Sequence, residues 1–174
     1  ETSGAKVVIA DTLRVKAKEM LIDPKNITVT SSSNTALDTS GLGYSTNPSV
    51  DSTITNTQVE TILNVGTSLT LQANNDITVN SAISVANGSG DGGALTLASG
   101  RSIYLNANIV TDNGNLNLYA NDTTANGVQN SYRDSGTAVI SMAGGTNINA
   151  GSGIVTMDLR NGVGKTYTAA GDIT

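Results

Sequence analysis

Short apolar-x-apolar triplets recur along the chain: Leu69-Thr70-Leu71, Ile77-Thr78-Val79, Ile83-Ser84-Val85, Leu95-Thr96-Leu97, Ile103-Tyr104-Leu105, Ile109-Val110-Thr111 and Leu116-Asn117-Leu118. In each triplet the outer residues share one face and the middle residue points the opposite way, which is the period of a β-strand. The middle residues are mainly Thr, Ser or Tyr, so the outward face is polar. The triplets themselves repeat. Leu69 and Leu95 are 26 positions apart, as are Ile77 and Ile103, and Ile83 and Ile109, whereas Leu116 follows Leu95 by 21. A unit of about 21 to 26 residues holding three short strands has the length of one solenoid coil.

The segments between triplets, Gln72–Asp76, Asn80–Ala82, Ala86–Gly93, Ala98–Ser102 and Asp112–Asn115, are rich in Asn, Gly, Asp and Ser. Such residues tolerate positive φ or bond to their own backbone, and so make the corners of a three-sided coil. Helical signals are nearly absent. The stretch Asp11–Met20 alternates Leu13, Val15 and Ala17 with Arg14, Lys16 and Lys18, which predicts another strand with a charged outer face. The reading is therefore all-β, a single β-solenoid segment over residues 1–174. Two stretches break its rhythm. Residues from about 30 to 59 predict a long loop or hairpin leaving the shaft, and a smaller excursion runs from about 121 to 135. Strands resume at Ala138–Met142, Ile148 and Ile154–Leu159, and the chain ends mid-strand near Ile173. Six or seven coils at ~4.8 Å spacing predict a rod about 30 Å long. An antiparallel sandwich also has many short strands, but equal 26-residue offsets at three successive positions and the absence of Phe and Trp argue against it.

Composition sharpens this picture. His, Cys, Phe and Trp are all absent, so thiolate nucleophiles, imidazole bases, disulfides and His/Cys metal cages cannot be built. Thr, Asn, Ser and Gly supply roughly 80 of the 174 residues, far above average usage. Aliphatic columns stacked from coil to coil make a core without aromatic rings, and Asn at corners can stack into amide ladders. A net charge of −5 and a pI near 4.4 argue against nucleic acid or an anionic membrane surface as partner. No apolar run approaches the ~20 residues of a membrane helix, so no membrane insertion is expected. Five of the nine basic residues fall between Lys6 and Lys25 and read as a solvated face that discourages edge pairing.

Four stretches, Val7–Leu13, Leu21–Val29, Leu69–Val79 and Gly93–Ile103, resemble the repeats of filamentous haemagglutinin-like exoproteins, most specifically in "LIDPKNITV" and "LTLQANNDITV". These are the large secreted partners of bacterial two-partner (type V) secretion systems. The resemblance implies a right-handed parallel β-helix, export from a Gram-negative cell through an outer-membrane β-barrel transporter, and a role at the cell surface as adhesin shaft or displayed filament. No amino-terminal secretion domain or carboxy-terminal effector is recognisable, so an internal piece of shaft is expected, its receptor or glycan unidentified. The alternative is a subunit of a homopolymeric extracellular filament stacked head to tail.

Candidate chemistry is sparse. A polysaccharide-acting β-helix enzyme would need an acid pair, for which Asp38, Asp51 and Glu60, or Asp122 and Asp134, are the candidates. Sugar stacking would fall to Tyr44, Tyr104, Tyr119, Tyr132 or Tyr167. Solvated turn acids are the simpler reading, and no catalytic, cofactor-binding or metal residue is expected. Gly88-Ser89-Gly90-Asp91-Gly92-Gly93 is similar to one imperfect copy of a calcium-binding Gly/Asp repeat and reads as a Gly-rich corner. Asn26-Ile27-Thr28 and Asn121-Asp122-Thr123 fit the glycosylation pattern, which is common by chance in such a chain. Thr28, Thr30, Thr70, Thr78 and Thr96 suggest an ice-binding ladder, but the outward residue varies too much between coils for that role.

Overall fold

A computed structural model describes the backbone of residues 19–22, together with residues 24–32, 49 and 51–174. Fourteen strands and one helix are described: β1 Glu19–Ile22, β2 Asn26–Thr30, β3 Asp51–Thr55, α1 Asn56–Leu63, β4 Ser68–Ala73, β5 Ile77–Val79, β6 Ile83–Ser84, β7 Leu95–Ser99, β8 Ile103–Leu105, β9 Ile109–Val110, β10 Leu116–Ala120, β11 Ala138–Met142, β12 Ile148–Asn149, β13 Val155–Leu159 and β14 Ala170–Ile173. They form three sheets. The first runs β1-β4-β7-β10-β13, the second β14-β11-β8-β5-β2-β3 and the third β12-β9-β6. Every pairing is parallel. From β4 onward successive strands go to the three sheets in turn, an arrangement consistent with a parallel β-helix.

The register follows the triplets. Leu69 lies beside Leu95 and Leu95 beside Leu116; Ile77 lies beside Ile103 and Ile83 beside Ile109. Because side chains alternate faces, this alignment turns every outer triplet residue the same way. The result is continuous inner columns, Leu69-Leu95-Leu116 and Leu71-Leu97-Leu118 on the first sheet and Ile27-Ile77-Ile103-Ile140 on the second, all essentially inaccessible to solvent. The three sides share one core. The corners bring backbones close together. A Cβ on Gly114 would lie 2.4 Å from the Gly93 carbonyl oxygen, and one on Gly153 would lie 2.5 Å from that of Gly114. Only glycine permits this column. Amide stacking occurs in two steps: Asn75 Nδ2 donates to Asn26 Oδ1 at 3.0 Å and Asn106 Nδ2 to Asn80 Oδ1 at 2.9 Å.

The segment read as a loop from 30 to 59 is partly regular. Asp51–Thr55 is strand β3, paired along its whole length with β2, and Asn56–Leu63 is helical. In β3 the sequence Asp-Ser-Thr-Ile-Thr has one large apolar residue, Ile54, so alternation is invisible, and backbone pairing plus a 2.6 Å bond from Asn26 to Asp51 holds it. The helix has an ordinary start. The Thr55 hydroxyl accepts from the Gln58 N–H while the Gln58 side chain accepts from the Thr55 N–H, a reciprocal cap, and Val59, Ile62 and Leu63 bury one face at helical spacing. Residues 33–48 and 50, including Asp38 and Tyr44, lie outside the described residues, as does the predicted strand at Asp11–Met20 apart from Glu19 and Met20, which begin β1.

Helix α1 packs beneath β6, on the third side. Two of its residues and its C-cap, one turn apart, meet the polar edge of that strand: Asn56 Nδ2 donates to the Ala82 carbonyl at 2.9 Å, Glu60 Oε1 accepts from Ser84 N–H at 2.8 Å, and the cap residue Asn64 accepts from Ala86 N–H through Oδ1 at 2.8 Å. Side chains thus satisfy groups that a neighbouring strand would otherwise pair.

The excursion at 121–135 forms two 3₁₀ turns, Thr124–Asn126 and Asn130–Tyr132, and folds back onto the corner between the first and second sheets. Val128 is buried there, and Gln129 N–H donates to Asn74 Oδ1 at 2.8 Å.

Candidate functional site

The corner beneath this folded-back segment gathers much of the chain's charge. Arg101 grips both carboxylate oxygens of Asp76, with Nε to Oδ1 at 2.7 Å, and reaches the Ser135 carbonyl at 2.8 Å. The bond to Asp76 raises the Arg101 pKa against the opposing effect of burial. Asp134 accepts from Asn75 Nδ2 at 3.0 Å and pairs with Lys25 at 3.0 Å. Arg133 is buried and donates from Nε to the Gly100 carbonyl at 2.9 Å; burial, then the neighbouring Arg101, lowers its pKa.

Next to it, Asp122 is almost fully buried. Its Oδ1 accepts from Arg160 Nη1 at 2.7 Å, Asn126 Nδ2 at 2.7 Å and Thr123 N–H at 2.8 Å. Arg160 also pairs with Asp158 at 3.1 Å and stacks 4.0 Å above the Tyr119 ring. Burial lowers the Arg160 pKa, but its bonds to Asp122 and Asp158 outweigh that effect and leave it raised. Lys165 enters from the segment between β13 and β14. Its buried ammonium donates to the Gly100 carbonyl at 2.6 Å and to Asn121 Oδ1 at 3.0 Å. Burial, then the nearby Arg133, brings its pKa down from 10.5 to about 8, against the attraction of Asp122.

The structure gives the described candidate acids separate structural duties. Asp51 holds Asn26, Glu60 meets the β6 edge, Asp122 binds Arg160 and Asp134 binds Lys25. Of the tyrosines, Tyr104 and Tyr119 occupy outward positions of β8 and β10, Tyr132 sits in a 3₁₀ turn and Tyr167 is exposed. Asn121 is fully buried, with both amide hydrogens bonded, and Asn26 is a strand residue bonded to Asp51, so neither acceptor tripeptide presents a free amide. In the Gly88–Gly93 corner, Asp91 Oδ1 accepts from Asn113 at 3.1 Å, and a Cβ on Gly93 would fall 1.9 Å from the Thr67 carbonyl oxygen. Among the described residues no three acidic side chains converge as metal ligands, and no helix is long and apolar enough to cross a membrane.

Sequence reasoning missed the Lys165–Asn121–Asp122–Arg160 cluster and the helix. Thr55-x-x-Gln58 followed by Val59, Ile62 and Leu63 is a readable capping signal. Lys165, a single cation in a Gly-rich stretch, carries no sequence mark of burial.

A separate feature, exposed where that corner is buried, is the edge formed by β13 and β14. Val155, Met157 and Leu159 align with the inner column residues Leu116, Leu118 and Ala120, yet Val155 is 41% exposed and the adjacent Ile154 66%. Val163, Tyr167 and Ile173 are also exposed apolar or aromatic side chains. No known protein family matches the chain, and neither a curated protein nor a solved structure does so.

Proposed function

We propose that this chain is a non-catalytic shaft segment of a large secreted bacterial surface exoprotein of the filamentous haemagglutinin-like kind, exported by two-partner secretion. In this reading the strands wind right-handedly, three to a coil of about 21 to 26 residues, with longer coils where a loop is inserted. The observation that carries the proposal is the set of aliphatic columns in register through the first and second sheets. Such columns spread stability over near-identical layers and leave the polar outer faces free for display. The placement of the described acids in ion pairs, turns and an edge cap supports a structural role over sugar cleavage.

Export follows from the same physics. Coils that form outside the cell stack on those already folded and bias passage through the outer-membrane pore. Replacing Thr70 by Pro removes a ladder N–H in β4 and should stall secretion of the native exoprotein at that layer; undiminished export would overturn the mechanism.

The filament-subunit reading draws on one observation, the apolar end at β13 and β14, which a second copy could cover. Intact mass from the native source separates the two. A polypeptide of hundreds of kilodaltons supports the shaft, and one near 17.6 kDa supports the subunit.

A further inference from the structure

We propose that Lys165 and Asn121 form an intramolecular side-chain amide cross-link. Four features of the corner point to this chemistry. The reacting groups are in contact, since Lys165 Nζ lies 3.0 Å from Asn121 Oδ1 and the carboxamide carbon is one bond beyond. Both residues are buried, Asn121 completely. The lysine is poised as a nucleophile, because its pKa of about 8 leaves a substantial fraction of neutral amine near neutral pH. The carboxamide is held in one orientation: Nδ2 donates to the Arg160 and Thr168 carbonyls, both at 2.9 Å, so Oδ1 must face Lys165. Asn121 adopts φ 53°, a left-handed conformation that Asn tolerates, and this directs its side chain inward.

The closeness of the site also fits. A Cβ on Gly162 would lie 2.6 Å from Asn121 Oδ1 and 3.0 Å from Lys165 Cε, so the backbone seals the pair on that side. Proximity of this kind replaces a bimolecular encounter. Two charged groups act on Lys165. Arg133, which shares the Gly100 carbonyl with Lys165, disfavours the ammonium and favours negative charge developing on Oδ1. Asp122 attracts the ammonium, while its Oδ1 is held by Arg160.

The step balances without any oxidant, reductant or co-reactant. The Nζ lone pair attacks Cγ of Asn121, the Cγ–Nδ2 bond breaks, and Nδ2 takes up the proton shed by Nζ and leaves as ammonia. The two carbonyls that held the amide hydrogens are placed to accept from the departing ammonia. The product ties the residue after β10 to the segment between β13 and β14, closing a covalent loop across 44 positions. A linked chain resists extraction of its last strands under pull or denaturant, independently of what the shaft displays.

The test uses the full chain purified in denaturant and folded by dilution at pH about 6 and about 9, with intact mass followed over time and circular dichroism confirming the fold. The expected result is a loss of about 17 Da (one ammonia) that appears only on folding. It should be faster by roughly one to two orders of magnitude at the higher pH, because the amine fraction grows as pH rises through the lysine's lowered pKa of about 8, and peptide mapping should join Lys165 to Asn121. Lys165→Arg and Asn121→Ala should fold without the mass loss. An unchanged wild-type mass after prolonged incubation of the folded chain at the higher pH overturns the proposal, whatever the variants do.

Discussion

The triplet Leu95-Thr96-Leu97 and its counterpart Val155-Thr156-Met157 share one pattern and one sheet, yet the leucines are fully buried and Val155 is 41% exposed. Strand propensity does not separate them. What differs is the neighbour. β7 lies between β4 and β10, whereas β13 has β10 on one side and no strand on the other among the described residues. A short strand in this architecture owes its burial to the layer stacked above it, and the inward residues of an unmatched layer behave as surface. The third sheet gives the complementary case. Under β6 the layer is a helix, and Val59, Ile62 and Leu63 are as buried as any residue of the columns.

Four substitutions break or sharpen this contrast. The largest effect is expected from Leu97→Ala, a cavity inside the stacked columns, at about 2–5 kcal/mol of destabilisation by denaturant unfolding. Gly114→Ala follows, at about 1–3 kcal/mol, because its Cβ would overlap the Gly93 carbonyl and force two backbones apart; the same melt measures it. Thr55→Ala removes the helix cap and should cost about 1 kcal/mol, with amide hydrogen exchange rising first at Ser84 and Ala86 as the covering helix frays. Val155→Ala should cost less than ~1 kcal/mol, since most of the cavity and transfer terms apply only to a covered side chain. If Val155→Ala and Leu97→Ala proved equally costly, the explanation by the neighbouring layer would fail.

The inner columns were legible because each repeats aliphatic residues at matching positions three or four times, and their spacing gives both the strands and their register. β3 was not legible, since a lone Ile54 among Ser and Thr offers no alternation, and its place is set by pairing with β2 rather than by its own pattern. The helix was legible in principle from Thr55, Gln58 and the spacing of Val59, Ile62 and Leu63, but the surrounding β rhythm argues for a loop. The corner cluster was not. Gly100, Asn121, Arg133 and Lys165 stand far apart in the chain and meet because three separate connections end at one corner. No local motif encodes that meeting.

The helix below β6 also gives the stack a polarity. On that side the Ala82 carbonyl and the Ser84 and Ala86 N–H groups are already taken by Asn56, Glu60 and Asn64, so among the described residues the third face is open to a further strand only past β12. Growth on this face is therefore one-way, as in a zipper whose bottom stop is sewn in.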